Sequence, residues 1–415
     1  MTPRILRQTM EEWAEEARVP RNLADRALRR RSRLRVSRFA GAISCAALVA
    51  AVVLLVSTVV APRLAKPGLQ DGAAKPAVVP VEPYHQGAVT VKSSDVRTDT
   101  ENSPPKTMIA AGRLAVSAYY VWKEEKISAK TMRRHDVWYL LNPGTGEYEK
   151  TDWAALDVSP GLRYAAVLER DLPARRVGVL DMSTRQIVEW VDLDHPVASV
   201  SWSPDGTRLL LTAYDTDPSI RLNVSADGSS WQDPPGSRTG FHIVDVATGQ
   251  AKFHAISSDA QERMPREPGD FVWSPDGMVR EGNPSAGEPG QPLWRYYDLE
   301  GRPRPAPEEP VRTYQEAGIS PDGRLYADGG SPPGPETVVK DVATGQVVGR
   351  QKMEQLLAWA DGDHLIAVQC AGTCRNEFSN GLALVGVDGE EVVRLSAYRE
   401  NTQRPGTWTP VLTPR

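Results

Sequence analysis

WSPDG stands at residues 202–206 and again at 273–277, and this recurrence limits what the chain can fold into. The pentapeptide is a turn recipe: Pro presets φ at the second position of a type I turn, Asp tolerates the third, and Gly takes the left-handed conformation that closes a hairpin. Its neighbours recur with it. VASVSW precedes the first copy, with Ala198, Val200 and Trp202 on one face and Ser199 and Ser201 on the other, the alternation of a strand. TRLLLTAY reads as a second strand; after a variable stretch, FHIVDVATGQ and AKFHAI supply a third and a fourth around another turn.

The same order returns along the chain. MIAAGRLAVSAYYVW leads to DVWYLLNPGTGEYEKTD, LDVSPGLRYAAVLER to RVGVLDMSTRQIVEWVDL, and FVWSPDGMVREG to LWRYYDLEGRPR. AGISPDGRLYADGG leads to ETVVKDVATGQVVGRQKM, and LLAWADGDHLIAVQC to GLALVGVDGEEVVRLSAY. DVATGQ is spelled identically at 245–250 and 341–346. Six units are counted. Gly277 and Gly323 lie 46 residues apart and Gly323 and Gly362 lie 39 apart, whereas the 71 between Gly206 and Gly277 include a polar Pro/Gly/Ser insertion suited to a surface loop. Four short strands per period of about 40–45 residues is the signature of a propeller blade. Solenoid repeats are shorter or helical, and a sandwich has no reason to repeat DVATGQ. The expected fold is therefore all-β, a β-propeller of six blades, or seven if the Ala88 region and the tail at 407–412 supply a degenerate unit. A strand from one end should pair with the blade at the other and hide the edges.

SPDG after an aromatic residue, with D-x-x-TG-x following in the same unit, resembles the WD-repeat-like and TolB-type propellers, which include bacterial secreted and membrane-anchored versions. The resemblance runs from about Thr107 to Tyr398. It implies the fold and leaves function open. No Gly-His opens the units and no Trp-Asp closes them, so the partners of the eukaryotic WD family are not implied. Asp181, Asp245 and Asp341, each before a turn, are expected to serve the hairpins structurally.

Upstream of the repeats, residues 39–61 form an uncharged run of 23 residues, FAGAISCAALVAAVVLLVSTVVA. At 1.5 Å per residue it is long enough to cross a hydrocarbon core of about 30 Å. A cleaved signal peptide fits less well, because its apolar region is only about 7–15 residues and Pro62 makes a poor cleavage junction. An uncleaved signal anchor is expected, a single transmembrane α-helix touching membrane lipid. Cys45 inside it is read as an inert thiol.

The basic segment 1–38 holds eleven arginines against five acidic residues, a net +6 that leaves −10 for the remainder. By the positive-inside rule it lies in the cytoplasm, and everything after Ala61 is extracytoplasmic. The acidic remainder argues against a nucleic-acid partner. A Pro/Ala-rich linker is expected at 62–106, then the propeller at 107–415.

Chemistry is harder to find. The nucleophile elbow GxSxG is absent; GGSPP at 329–333 has Pro where the second Gly belongs. The seventeen residues after Tyr398 leave no expectation of a hydrolase domain. His85, His135, His195, His242, His254 and His364 are scattered without HExxH spacing. His242 and His254 flank one hairpin and could face each other, but no metal, cofactor or catalytic residue is assigned. DTDPS at 215–219 and DGD at 361–363 supply too few oxygens for calcium. Cys370 and Cys374 are expected to join as a local disulfide outside the cytoplasm.

The expected function is a membrane-anchored module that binds a protein, peptide or envelope ligand through loops on one face. The insertions at 216–240 and 283–291 are the candidate loops, with Trp231 and Trp294 as aromatic anchors. A channel enzyme (lyase or hydrolase), or a sensor coupled to the cytoplasmic segment, is the alternative.

Overall fold

The computed structural model describes residues 79–85, 90–223, 231–232, 237–256, 269–282, 294–305, 316–329, 336–372, 376–390 and 392–415. They belong to a compact unit, Pro76–Arg415. Among them no helix is long and apolar enough to cross a membrane; the span expected at 39–61 lies outside the described residues.

Short apolar stretches between the turn motifs become strands, in five sheets among the described residues. Three are simple antiparallel meanders in chain order. One comprises Val272–Trp273, Val279–Gly282, Trp294–Tyr297 and Pro303–Arg304; the next Leu325–Gly329, Thr337–Asp341 and Val347–Gln351; the last Gln355–Trp359, His364–Cys370, Asn380–Gly386 and Val392–Arg394. A seven-stranded sheet runs from Ala155–Val158 to Gln250–Ala255 and consists of two such meanders sharing the strand Gln186–Trp202. That strand pairs through its first half with Ala174–Asp181 and through its second with Arg208–Tyr214.

The remaining sheet holds both ends of the domain. Leu114–Lys126, Thr131–Asn142 and Glu147–Lys150 come from its N-terminal side, and Trp408–Pro414 pairs with the first of them from Leu114↔Pro414 to Val121↔Trp408. The expected pairing of one end with the other is present.

Apolar side chains collect between successive sheets. Trp138 and Leu140 pack with Leu156, Ala165 and Leu180. Ala166, Val177 and Val191 pack with Leu209 and Val244, and Leu210, Phe241 and Ile243 with Phe271, Val279 and Tyr297. Leu325 and Val339 meet Leu356, Leu365 and Val385. The last meander returns to the first, because Ile366, Leu382 and Leu384 pack with Leu114, Val116 and Trp408. Successive sheets thus share apolar seams at most of their junctions, and the last sheet meets the first, a propeller-like arrangement.

The repeated tryptophans tie each repeat unit to the one before it. The indole N–H of Trp202 donates to the Asp157 carbonyl, that of Trp273 to the Ser201 carbonyl and that of Trp359 to the Gly318 carbonyl, each at 3.2 Å. Each acceptor lies in the preceding unit, one residue before the position that matches the tryptophan, so a buried ring fills the seam and its one donor is satisfied.

Turn chemistry explains why the motifs recur. In the first WSPDG, Ser203 Oγ lies 2.5 Å from Asp205 Oδ1 and accepts the Arg208 N–H at 2.9 Å. Ser320 repeats this with Asp322 and the Leu325 N–H, at 2.6 and 2.9 Å. Gly206, Gly277 and Gly323 have φ of 69°, 79° and 74°, which L residues rarely adopt. In the DVATGQ hairpins, Asp245 Oδ1 accepts the Thr248 N–H and hydroxyl, and Asp341 Oδ1 those of Thr344. Asp181 caps its turn through Ser183 and Thr184. The aspartates serve the hairpins, as their spacing implies.

The stretch expected as a spacer is partly built into the domain. Val79 is fully buried among Tyr164, Val177 and Val246, the Tyr84 N–H donates to the Asp205 carbonyl, and the Val91 N–H donates to Asp361 Oδ2 at 2.6 Å. Asp99 is buried and accepts the N–H groups of Asn102, Lys106 and Thr107, and these bonds hold its carboxyl below the ordinary range despite burial. No strand forms at residues 90–92; residues 88–89, where the short strand was also placed, lie outside the described residues.

Candidate functional site

A cavity of about 920 Å³ opens where the leading ends of several meanders converge. Ala155 and Ser199 come from the seven-stranded sheet, Asp270 from the approach to Val272–Trp273, and Tyr120 and Asp136 from the closing sheet. The insertion singled out in the sequence supplies part of the wall. Ile220–Asn223 pairs with Thr131–Asn142 through Ile220↔Arg133, Arg221↔Met132 and Leu222↔Thr131, and Asn223 pairs with Trp231. The insertion thereby extends the closing sheet and brings Asp217, Ser219 and Arg221 to the cavity. Asp217 and Arg133 approach to 3.5 Å across this join.

The lining carries six acidic side chains and six from Lys or Arg, so the wall presents no field of one sign and suits a ligand with groups of both charges better than a polyanion. Burial pushes the Asp136 carboxyl up to about 6, against the pull of the Arg134 guanidinium. Asp270 is open to the cavity yet enclosed by its walls, and this desolvation raises its carboxyl. Tyr214 donates its hydroxyl to Asp270 Oδ1 at 2.7 Å. Tyr120 packs on Trp138 with ring centroids 4.9 Å apart, and the Trp138 indole donates to the Ala154 carbonyl at 2.9 Å.

Below this surface lies a buried ionic knot. Arg238 and Glu281 are 5% and 1% exposed. An Arg238 Nη2 proton is donated to Glu281 Oε2 and the Tyr297 hydroxyl donates to Oε1. Arg238 also donates to the Gly269 carbonyl at 2.8 Å and lies over the Phe271 ring. The knot fixes the segment carrying Asp270 and shares Arg238 with the cavity wall.

The residues named from sequence fall in different places. Trp294 sits in the strand Trp294–Tyr297, half-buried under the Arg280 guanidinium at 4.3 Å, and is not among the cavity's lining residues. Trp231 has backbone pairing alone described. Cys370 is disulfide-bonded; Cys374 lies outside the described residues. The two acidic stretches serve their own turns: Asp217 Oδ1 accepts the Ser219 N–H, and Asp361 binds Val91, Asp363 and His364.

His242 and His254 do not face each other. His242 registers with Phe253 and His254 with Phe241, so the two rings leave opposite faces of the hairpin. His242 instead meets Asp194 and His195, a grouping invisible in the spacing. Burial lowers the affinity of His242 for a proton.

No family model matches the chain, and no curated protein matches it. Solved structures similar to it include TolB from Acinetobacter baumannii, at 15% identity and a TM-score of 0.38 over 72% of this chain and 67% of that one. Kuenenia stuttgartiensis hydrazine synthase is similar at 16% identity and a TM-score of 0.32, over 60% and 69% of the two chains. The mitotic checkpoint complex includes a chain similar at 16% identity and a TM-score of 0.28, over 58% and 78%. The propeller-like reading rests on the sheet topology and the seams between sheets, not on these likenesses.

Proposed function

We propose that this chain is a single-pass membrane protein whose six-bladed propeller stands outside the cytoplasm and binds a protein or peptide segment in the cavity at the converging strand ends. Six blades are supported by the closing sheet, two meanders in the seven-stranded sheet and three further meanders among the described residues. The Ile319↔Tyr326 bridge adds one pairing ahead of the three-stranded member. The uncharged run at 39–61 and the arginines before it support the anchor and its direction.

The observation that carries binding is the cavity's construction: aromatic side chains and groups of both charges converge there from separate elements, walled by an insertion that departs from the repeat. A channel enzyme would draw on Asp136 and Asp270. Burial raises both carboxyls, and Asp270 already accepts the Tyr214 hydroxyl.

A photo-crosslinking amino acid tests this reading in the full chain in its native membrane. Placed at Ser199, inside the cavity, it should yield discrete adducts; at Val188, 44% exposed on the outer half of the same strand, it should not. Adducts of equal yield at both positions, or at Val188 alone, would contradict a cavity ligand.

A further inference from the structure

We propose that Asp194, His195 and His242 form a binding site for a divalent transition-metal ion of the zinc type. The site lies on the strand shared by two meanders. Pairing of Gln186–Trp202 with Ala174–Asp181 runs to Asp192 and resumes at Val197, and pairing with Arg208–Tyr214 begins at Val197. Asp194 and His195 therefore fall in a stretch freed from ladder pairing, where a strand can turn side chains toward a neighbour. His242, from Arg238–Asp245, reaches them.

Asp194 Oδ1 lies 3.1 Å from His195 Nδ1 and 3.6 Å from His242 Nε2, and the three atoms all lie within 4.8 Å of one another. Metal–ligand bonds of about 2.0–2.2 Å place neighbouring donor atoms roughly 3–3.5 Å apart around a tetrahedral ion. Two distances are close to that range, and the third is no more than 4.8 Å.

His242 is completely buried and reaches the cluster through Nε2, 3.6 Å from Asp194 Oδ1 and 3.0 Å from the His195 carbonyl, a bond that a bound metal would replace. The His195 ring is held flat against Phe253 at 3.6 Å. Two imidazoles with one carboxylate select a zinc-like ion over calcium or magnesium, which take oxygen ligands. The 70% exposure of Asp194 leaves a coordination position for water.

The test uses full-length protein in detergent, stripped with chelator and titrated with Zn²⁺ by calorimetry and with Co²⁺ by visible absorption. One equivalent of Zn²⁺ should bind, and Co²⁺ should give a d–d band. His195→Ala and Asp194→Asn, both at exposed side chains, should each weaken binding by more than about tenfold, while His135→Gln in the cavity should not. A rise in melting temperature with Zn²⁺ that His195→Ala abolishes would support the same site without relying on His242 variants, whose buried ring bears on folding. Absence of stoichiometric binding, or unchanged affinity in His195→Ala and Asp194→Asn, would overturn it.

Discussion

Replacing Trp408 with Ala should lower the melting temperature by about 5–8 °C. The side chain is 1% exposed, meets Tyr119 edge-on with centroids 5.8 Å apart, and donates its indole N–H to Ser103 Oγ at 3.2 Å. Truncating a buried Trp costs roughly 3–5 kcal/mol, and each kcal/mol shifts a domain of more than 300 residues by roughly 1.5 °C. Trp408 also heads the strand that closes the first sheet. Deleting residues 408–415 should therefore do more than add cavities. It removes the ladder from Leu114 to Val121, the Ser117–Thr413 hydroxyl contact at 2.6 Å, and the Arg415 bonds to the Gly112 and Asp95 carbonyls. The loss exposes a long inner edge, and the truncated protein should aggregate or show no cooperative melt by intrinsic fluorescence. A cooperative transition within a few degrees of wild type would mean that terminal pairing does not hold the domain together.

Glu281→Ala should cost about 3–5 kcal/mol in urea denaturation, because it strands the Arg238 guanidinium without its carboxylate in a site that is 5% exposed. The Tyr297 hydroxyl loses its acceptor in the same step. Replacing all three groups, as Arg238→Met with Glu281→Leu and Tyr297→Phe, should recover most of the loss, since a well-packed apolar set can match a buried ion pair. If the triple variant is no more stable than Glu281→Ala alone, the knot matters through packing against Phe271 instead of through charge.

Much of this fold was legible in the chain because the repeated motifs act locally. Ser203 and Asp205 bond within one turn, Asp245 and Thr248 within another, so spelling alone reveals where strands end. The closing strand followed from the need to hide an edge. What spelling conceals is long-range placement. The indole of Trp273 reaches back 72 residues to Ser201, and nothing in the pentapeptide distinguishes a seam-filling tryptophan from a surface one. The cavity joins Asp136, Ser199 and Asp270 from strands far apart in sequence. A single step of register sent His254 to the opposite face from His242, while the break in pairing near Asp194 brought in two ligands that no motif marked. The stretch 79–85 read as spacer because its prolines mask Val79, whose burial depends wholly on the sheets it packs against.

The most direct measurement of the whole account is labelling of Ser199→Cys by a membrane-impermeant thiol reagent in right-side-out membrane vesicles, with the wild-type protein as background for Cys45, Cys370 and Cys374. A cavity that faces away from the cytoplasm should be labelled before the membrane is opened, and a captured ligand should slow the reaction. Labelling only after permeabilisation would place the cavity on the cytoplasmic side and contradict the proposed topology.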